Sequence, residues 1–222
     1  MKAGVLGLVD GDFDVVGDYA ETVPKDDREL QRCLEIDRVF SLPSGESAFA
    51  GRAAGEFLRS GESAEIDDGE ITVREHPRTE TRYTEFAGVP GEFVVVASGS
   101  GTFALDLVGA ETNTAIERAA LDLDAFYERV ADATPWKAGF YGTGDDGVNG
   151  VFHGPDLRAS HDLDALLADS RLNQVGLTYR YDGAELKMTA AASGYVEVYR
   201  PRSFAVADYL AYLRREVLPH VE

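Results

Sequence analysis

LNQVGLTYRYDGAELKMTAAASGYVEVYRPRSFAVADYLAYLRREVLPHVE, residues 172 to 222, holds three strand-like segments, two tight turns and one amphipathic run. From Asn173 to Tyr181 the apolar set Val175, Leu177, Tyr179 and Tyr181 alternates with Gln174, Thr178 and Arg180. A period of two gives a strand one buried face. Asp182-Gly183 supplies the positive φ angles of a two-residue hairpin, after which Leu186, Met188 and Ala190 alternate with Glu185, Lys187 and Thr189. Ser193-Gly194 makes a second turn, and Val196 and Val198 then face opposite to Tyr195, Glu197 and Tyr199. The result is a three-strand meander. Pro201 stops the pairing, Ser203 suits an N-cap, and Val206, Leu210, Leu213 and Val217 recur at helical spacing up to Pro219. This helix is expected to cover the apolar sheet face through Leu213, with Arg214 turned to water.

Upstream, Val5 to Val9 reads as a short buried strand ending in Asp10-Gly11-Asp12-Phe13-Asp14. Asp26 and Glu29 have capping-box spacing, and Leu30, Cys33 and Leu34 predict a short helix that makes Cys33 a core thiol. Val39 to Leu42 suits a strand, and Ser47 to Leu58 suits a helix through Phe49, Ala53, Ala54, Phe57 and Leu58. Gly51 and Gly55 each cost that helix about 1 kcal/mol relative to Ala. Asp68-Gly69 opens a β-rich run in which Phe93 to Ala97 pairs across Ser98-Gly99-Ser100-Gly101 with a strand carrying Phe103, Leu105 and Leu107. Asp122-Leu123-Asp124-Ala125 and Asp162-Leu163-Asp164-Ala165 each open a helix, and Trp136 to Tyr141 with Val148 to His153 predicts a hairpin.

These elements predict an α+β fold of two antiparallel meanders, each backed by helices. The two halves run from 1 to 111 and from 112 to 222, with a soft boundary near 109–114, where net charge divides into −13 and −6. The chain has 222 residues, 44% of them apolar, enough for a real core. Its 40 acidic residues face 17 arginines and only four lysines, for a net charge of −19. An evenly spread acidic shell poor in lysine resembles proteins that work in molar salt, where screening over roughly 3 Å removes self-repulsion. One cysteine excludes an intramolecular disulfide. No run of the sequence reads as a signal peptide or a bilayer span, so a cytoplasmic protein with no membrane partner is expected.

Asp10, Asp12 and Asp14 are the sharpest chemical candidate, since loop carboxylates bind hard cations such as Mg²⁺ or Mn²⁺ and position phosphate oxygens. Chance gives about two Asp-x-Asp pairs at this Asp content, and the chain holds four, so a solvated turn competes with that reading. His153 and His161 flank Pro155-Asp156 and, with Asp145 and Asp146, compose a set suited to Zn²⁺ or acid/base work. Their spacing matches no ligand pattern, and the plain alternative is a strand end and a residue before a helix cap. His76 and His220 adjoin prolines and read as surface positions. Arg180, Lys187, Tyr195, Tyr199 and Arg200 form a basic, aromatic sheet face of the kind that stacks single-stranded bases, although tyrosine on a sheet is more often good β packing. The Gly142 to Gly147 segment lacks the Lys of a phosphate cradle, and no Gly-x-Ser-x-Gly elbow occurs.

With no catalytic constellation above composition, the leading expectation is a non-catalytic binding or assembly module without a cofactor. Its partner would be a protein, a second copy or a small molecule, and nucleic acid is not expected. The rivals are a Mg²⁺- or Mn²⁺-dependent phosphoryl-transfer enzyme using Asp10 and Asp12, and a single-stranded nucleic-acid binder.

Overall fold

Val5 and Leu6 are adjacent on the first strand, and both are buried, each in a different core. That requires a sheet covered on both sides, because successive strand side chains point to opposite faces. The computed structural model describes residues 1–142, 149–160 and 170–222. Its strands are β1 (Ala3–Asp10), β2 (Tyr19–Lys25), β3 (Arg28–Ser41), β4 (Ser47–Asp67), β5 (Glu70–Val89), β6 (Phe93–Val96), β7 (Ala115–Arg118), β8 (Thr134–Gly142), β9 (Gly150–His153), β10 (Ser170–Tyr181), β11 (Ala184–Ala191) and β12 (Tyr195–Arg200). The helices are α1 (Phe103–Thr112), α2 (Leu123–Arg129), α3 (Leu157–Ser160) and α4 (Val206–Tyr212).

All twelve described strands join one antiparallel sheet in the order β2-β3-β4-β5-β6-β1-β12-β11-β10-β8-β9, with β7 also on β1. The expected α+β fold of two helix-backed meanders is therefore corrected to a mostly β fold with a single continuous sheet. The pivot is β1. It pairs β6 along one edge, while its other edge pairs β12 up to Val5 and β7 from Gly7 onward. At the switch, Leu6 N–H donates to Gly194 O and Leu6 O accepts from Ala119 N–H. Gly194 sits at φ +83°, and a Cβ there would meet Ala119 O at 2.4 Å, so the turn needs glycine.

On β6, Phe93 and Val95 enter one core and Val94 and Val96 the other. The first core lies under α2, α3 and α4, and the second under α1. The C-terminal meander has the register that its alternation predicts, with Asp182 and Gly183 at φ 47° and 78°. Val206, Leu210, Leu213 and Val217 are buried as expected, and Tyr209 and Tyr212 join them with no exposed surface. Tyr209 donates to Val196 O at 2.8 Å, and the Tyr212 and Tyr179 hydroxyls share a 2.8 Å hydrogen bond. Such partners are what let buried hydroxyls sit in a core. α4 starts later than Ser203 suggests: Ala205 is the N-cap, and Asp208 accepts from its N–H at 2.9 Å. It continues as a π turn over Leu213–Val217 and a 3-10 turn over Leu218–His220. Asp122 caps α2 as predicted, accepting from Ala125 N–H at 2.9 Å, while the second Asp-Leu-Asp-Ala copy lies outside the described residues.

Three further expectations are corrected. Arg28–Ser41 is strand, so Leu30 and Leu34 share a buried face with half-buried Arg32, and Cys33 is exposed on the other side. Ser47 to Leu58 is also strand. Gly51, Ala53 and Gly55 alternate toward the α1 core, and a Cβ on Gly51 would meet Glu35 O at 2.2 Å. Phe103 to Leu107 is helix rather than the partner of Phe93 to Ala97, whose neighbours are β1 and β5.

Candidate functional site

Asp10, the last residue of β1, and Asp12 and Asp14 in the loop after it are all exposed. The loop is pinned from inside by Phe13 and Val16, with Phe13 tilted against Phe49 at 6.1 Å. The alternation that buries Phe13 turns the carboxylates outward, and among the described residues no three His, Cys, Asp or Glu side chains come together as a metal site. His153 lies exposed on β9 opposite Lys137. His161, Asp145 and Asp146 lie outside the described residues. His76 is exposed on β5, whereas His220, read as a surface position, is half-buried edge-on to Phe126 at 5.5 Å.

A cleft of about 760 Å³ opens where three hairpin turns meet the C-terminal helix; Ser44, Glu92, Tyr181, Phe204, Arg214 and Arg215 are among its lining residues. Arg214 does not face open water as expected. It donates to Glu92 at 2.6 Å and also to Glu46, so it clamps the helix to the β3–β4 and β5–β6 turns. Arg215 donates to Asp182 at 2.9 Å and stacks over the Tyr181 ring at 4.3 Å. Hydrogen bonding to Asp182 raises the Arg215 pKa above its ordinary value, and burial pushes the Tyr181 phenol up. With both guanidiniums held by carboxylates, the cleft is a joint between turns and offers an anionic ligand little free positive charge.

The remaining surface is the sheet face opposite α4. Over β1 and β3 to β6 this face is covered by α1, Tyr195 of β12 packs at the edge of that core, and no described helix packs on the face over β8 to β11. Pairing places Lys187, Tyr195, Tyr199 and Arg200 there, together with Arg180 opposite Glu185. Trp136 and Lys137, which the hairpin reading placed on a strand without a role, belong to the same face. Trp136 meets Tyr199 edge-on at 5.9 Å, and the Lys187 ammonium sits 4.6 Å from its ring. Gly176 makes room for this cluster, since a Cβ there would meet the indole at 2.7 Å. The signal available in the sequence was the chain's single tryptophan beside one of four lysines.

Tyr195, Tyr199, Arg180 and Arg200 already have partners, whereas the buried Trp136 Nε1 has no hydrogen-bond partner among the described residues. Tyr195 and Tyr199 both donate to Glu197 at 3.0 Å, and burial followed by that hydrogen bond pushes each phenol up to about 12. Arg200 pairs with Glu185 at 2.9 Å, and Arg180 donates to Gly183 O at 2.6 Å. A carboxylate between the tyrosines opposes a phosphate backbone, while the ring edges and aliphatic stems leave an amphipathic platform. No protein-family model matches the chain, and no curated protein matches it in sequence. No helix among the described residues is long and apolar enough to cross a membrane.

Proposed function

We infer that this chain is a non-catalytic binding or assembly module with a salt-adapted acidic surface, and that it binds through the open half-sheet of β8 to β12. One observation carries the reading. Among the described residues no helix covers one face of the sheet over β8 to β11, whereas α1 covers that face over β1 and β3 to β6, and the uncovered part is basic and aromatic in a chain of net charge −19. Lys137, Arg171, Arg180, Lys187 and Arg200 there outnumber Glu185 and Glu197. Apolar area left bare beside localised charge marks an interaction surface. A single exposed thiol, Cys33, suits a reducing compartment and supports a cytoplasmic setting.

The rival phosphoryl-transfer reading needs Asp10, Asp12 and Asp14 to share a cation. The test is Mn²⁺ titration calorimetry with p-nitrophenyl phosphate turnover in molar KCl, comparing the parent with an Asp10→Asn, Asp12→Asn variant. No saturable binding and equal background turnover are expected. One-site Mn²⁺ binding and turnover that disappear in the variant would replace the binding module with a metal enzyme.

A further inference from the structure

The β4–β5 hairpin reaches far beyond the sheet that anchors it. Its ladder is unbroken from Phe49 opposite Gly88 to Asp67 opposite Glu70, but β3 leaves β4 at Gly55 and β6 leaves β5 at Phe86. Past Gly55, β5 is the only ladder partner of β4; Phe57 still packs on Phe103 of α1 and the β2–β3 turn flanks Leu58 to Ser60, so Gly61 to Asp67 form a free arm of about 23 Å at 3.3 Å per residue. Arg28 braces its base through Thr79 Oγ1 and Pro77 O. A free two-stranded ribbon is marginal in water unless one face is packed.

This arm has such a face. Ile66 lies opposite Ile71 and Ala64 opposite Val73, so their side chains share one side with the Glu62–Glu75 pair next along it, while Glu65, Asp67, Glu70 and Arg74 take the other. Ile66, Ile71 and Val73 are 76%, 71% and 57% exposed. Nine large hydrophobic side chains are exposed among the described residues. Three are these, and three more, Tyr141, Val151 and Tyr199, stand on the open half-sheet. Charge matches as well: residues 60 to 78 carry six carboxylates against Arg74 and Arg78, whereas the half-sheet carries the basic excess described above. The arm is stiff, because its ladder has no register break, and β6, β1, β12 and β11 separate β5 from β10. Ile66, Ile71 and Val73 stay exposed rather than packed on the chain's own half-sheet.

We propose that the apolar face of the β4–β5 arm docks on the open half-sheet of a second copy of this chain, and that the exchange is reciprocal, giving a two-fold dimer. The inference rests on the half-sheet being the binding surface and names its partner. A two-fold dimer uses both surfaces of both copies and closes, leaving neither arm bare. An acidic arm opposes docking on nucleic acid or an anionic membrane.

Light scattering in molar KCl should give twice the chain mass of 24.1 kDa. An Ile66→Glu, Ile71→Glu variant should give one chain mass while its circular dichroism stays that of the folded sheet, because both side chains are exposed in the single chain. In a Cys33→Ser background, mixing Val73→Cys with Lys187→Cys chains should trap a disulfide-linked pair that neither forms alone. A monomeric parent, or a dimer that survives the double Ile variant, would overturn the arm exchange. A dimer lost in that variant, yet untouched by Lys137→Glu with Lys187→Glu and giving no mixed cross-link, would overturn the half-sheet as receiver. Either failure leaves the non-catalytic reading to the Mn²⁺ and phosphoester assay, which does not depend on assembly.

Discussion

Arg214 donates to Glu92 across 2.6 Å, joining the last helical run to the β5–β6 turn 122 residues earlier in the chain. The same guanidinium reaches Glu46, so one side chain ties two hairpin turns to the helix whose neighbouring residue, Leu213, is wholly buried. Leu213→Ala should therefore cost about 2–5 kcal/mol, the range for a truncated buried leucine. Arg214→Ala should cost less, about 1 kcal/mol at low salt, since the pairs are a third exposed, and less again in molar KCl. Denaturant titration at two KCl concentrations checks both. Equal losses, or an Arg214 loss that ignores salt, would show that the helix is held differently.

The whole surface should respond to salt in the opposite direction. With net charge −19, self-repulsion weakens the folded state until screening shortens its reach to roughly 3 Å near 1 M. The melting temperature is expected to rise with KCl up to that range. A flat or falling curve would remove salt adaptation as the account of the acidic composition.

His220 should make stability pH-dependent near neutrality. Burial, and then Arg129, lower its pKa, with Asp122 and Glu216 opposing, and its ring packs on Phe126. The unfolded chain, whose histidine titrates near about 6.5, then binds more protons than the folded one as pH falls. Stability is therefore full above about 6.5 and declines below it until the lowered folded value is passed. A His220→Gln variant should show a shallower loss between pH 7.5 and 5.5 in melting experiments. A parent that gains stability on acidification across this window would reverse the assignment.

The tyrosine pair of the open half-sheet separates protein docking from base stacking. A stacked base is worth about 1–3 kcal/mol per aromatic ring. Because Tyr195 and Tyr199 are both tied to Glu197, no affinity for a single-stranded RNA or DNA oligomer is expected in molar KCl. Fluorescence anisotropy showing competable binding that Tyr195→Ala, Tyr199→Ala abolishes would instead make nucleic acid the ligand of this face.

What the sequence determined by itself is the local geometry of strongly patterned segments. Val175 to Val198 alternates cleanly between Asp-Gly and Ser-Gly turns, Asp122 precedes a helical stripe, and Val206 to Val217 keeps a 3.6 spacing, so each is legible without its neighbours. Residues 103 to 108 were not legible. Phe103, Ala104, Leu105, Leu107 and Val108 are all buried, and an apolar run lacking a polar face carries no period that distinguishes strand from helix. Leu30, Cys33 and Leu34 have helical spacing, and Gly51 and Gly55 interrupt a run of similar spacing. Tertiary structure made both segments strands, because β3 and β4 find partners on both edges and α1 lies over Leu34, Phe49 and Ala53. The candidate surface was half readable. Alternation alone put Lys187, Tyr195 and Tyr199 on one face, but that Tyr199 is exposed and the other two only half-buried depends on α1 ending short of β11, and the free arm depends on β3 and β6 letting go of β4 and β5. Those are relations between elements far apart in the chain, fixed by which edges and faces remain uncovered once the single sheet has closed around β1.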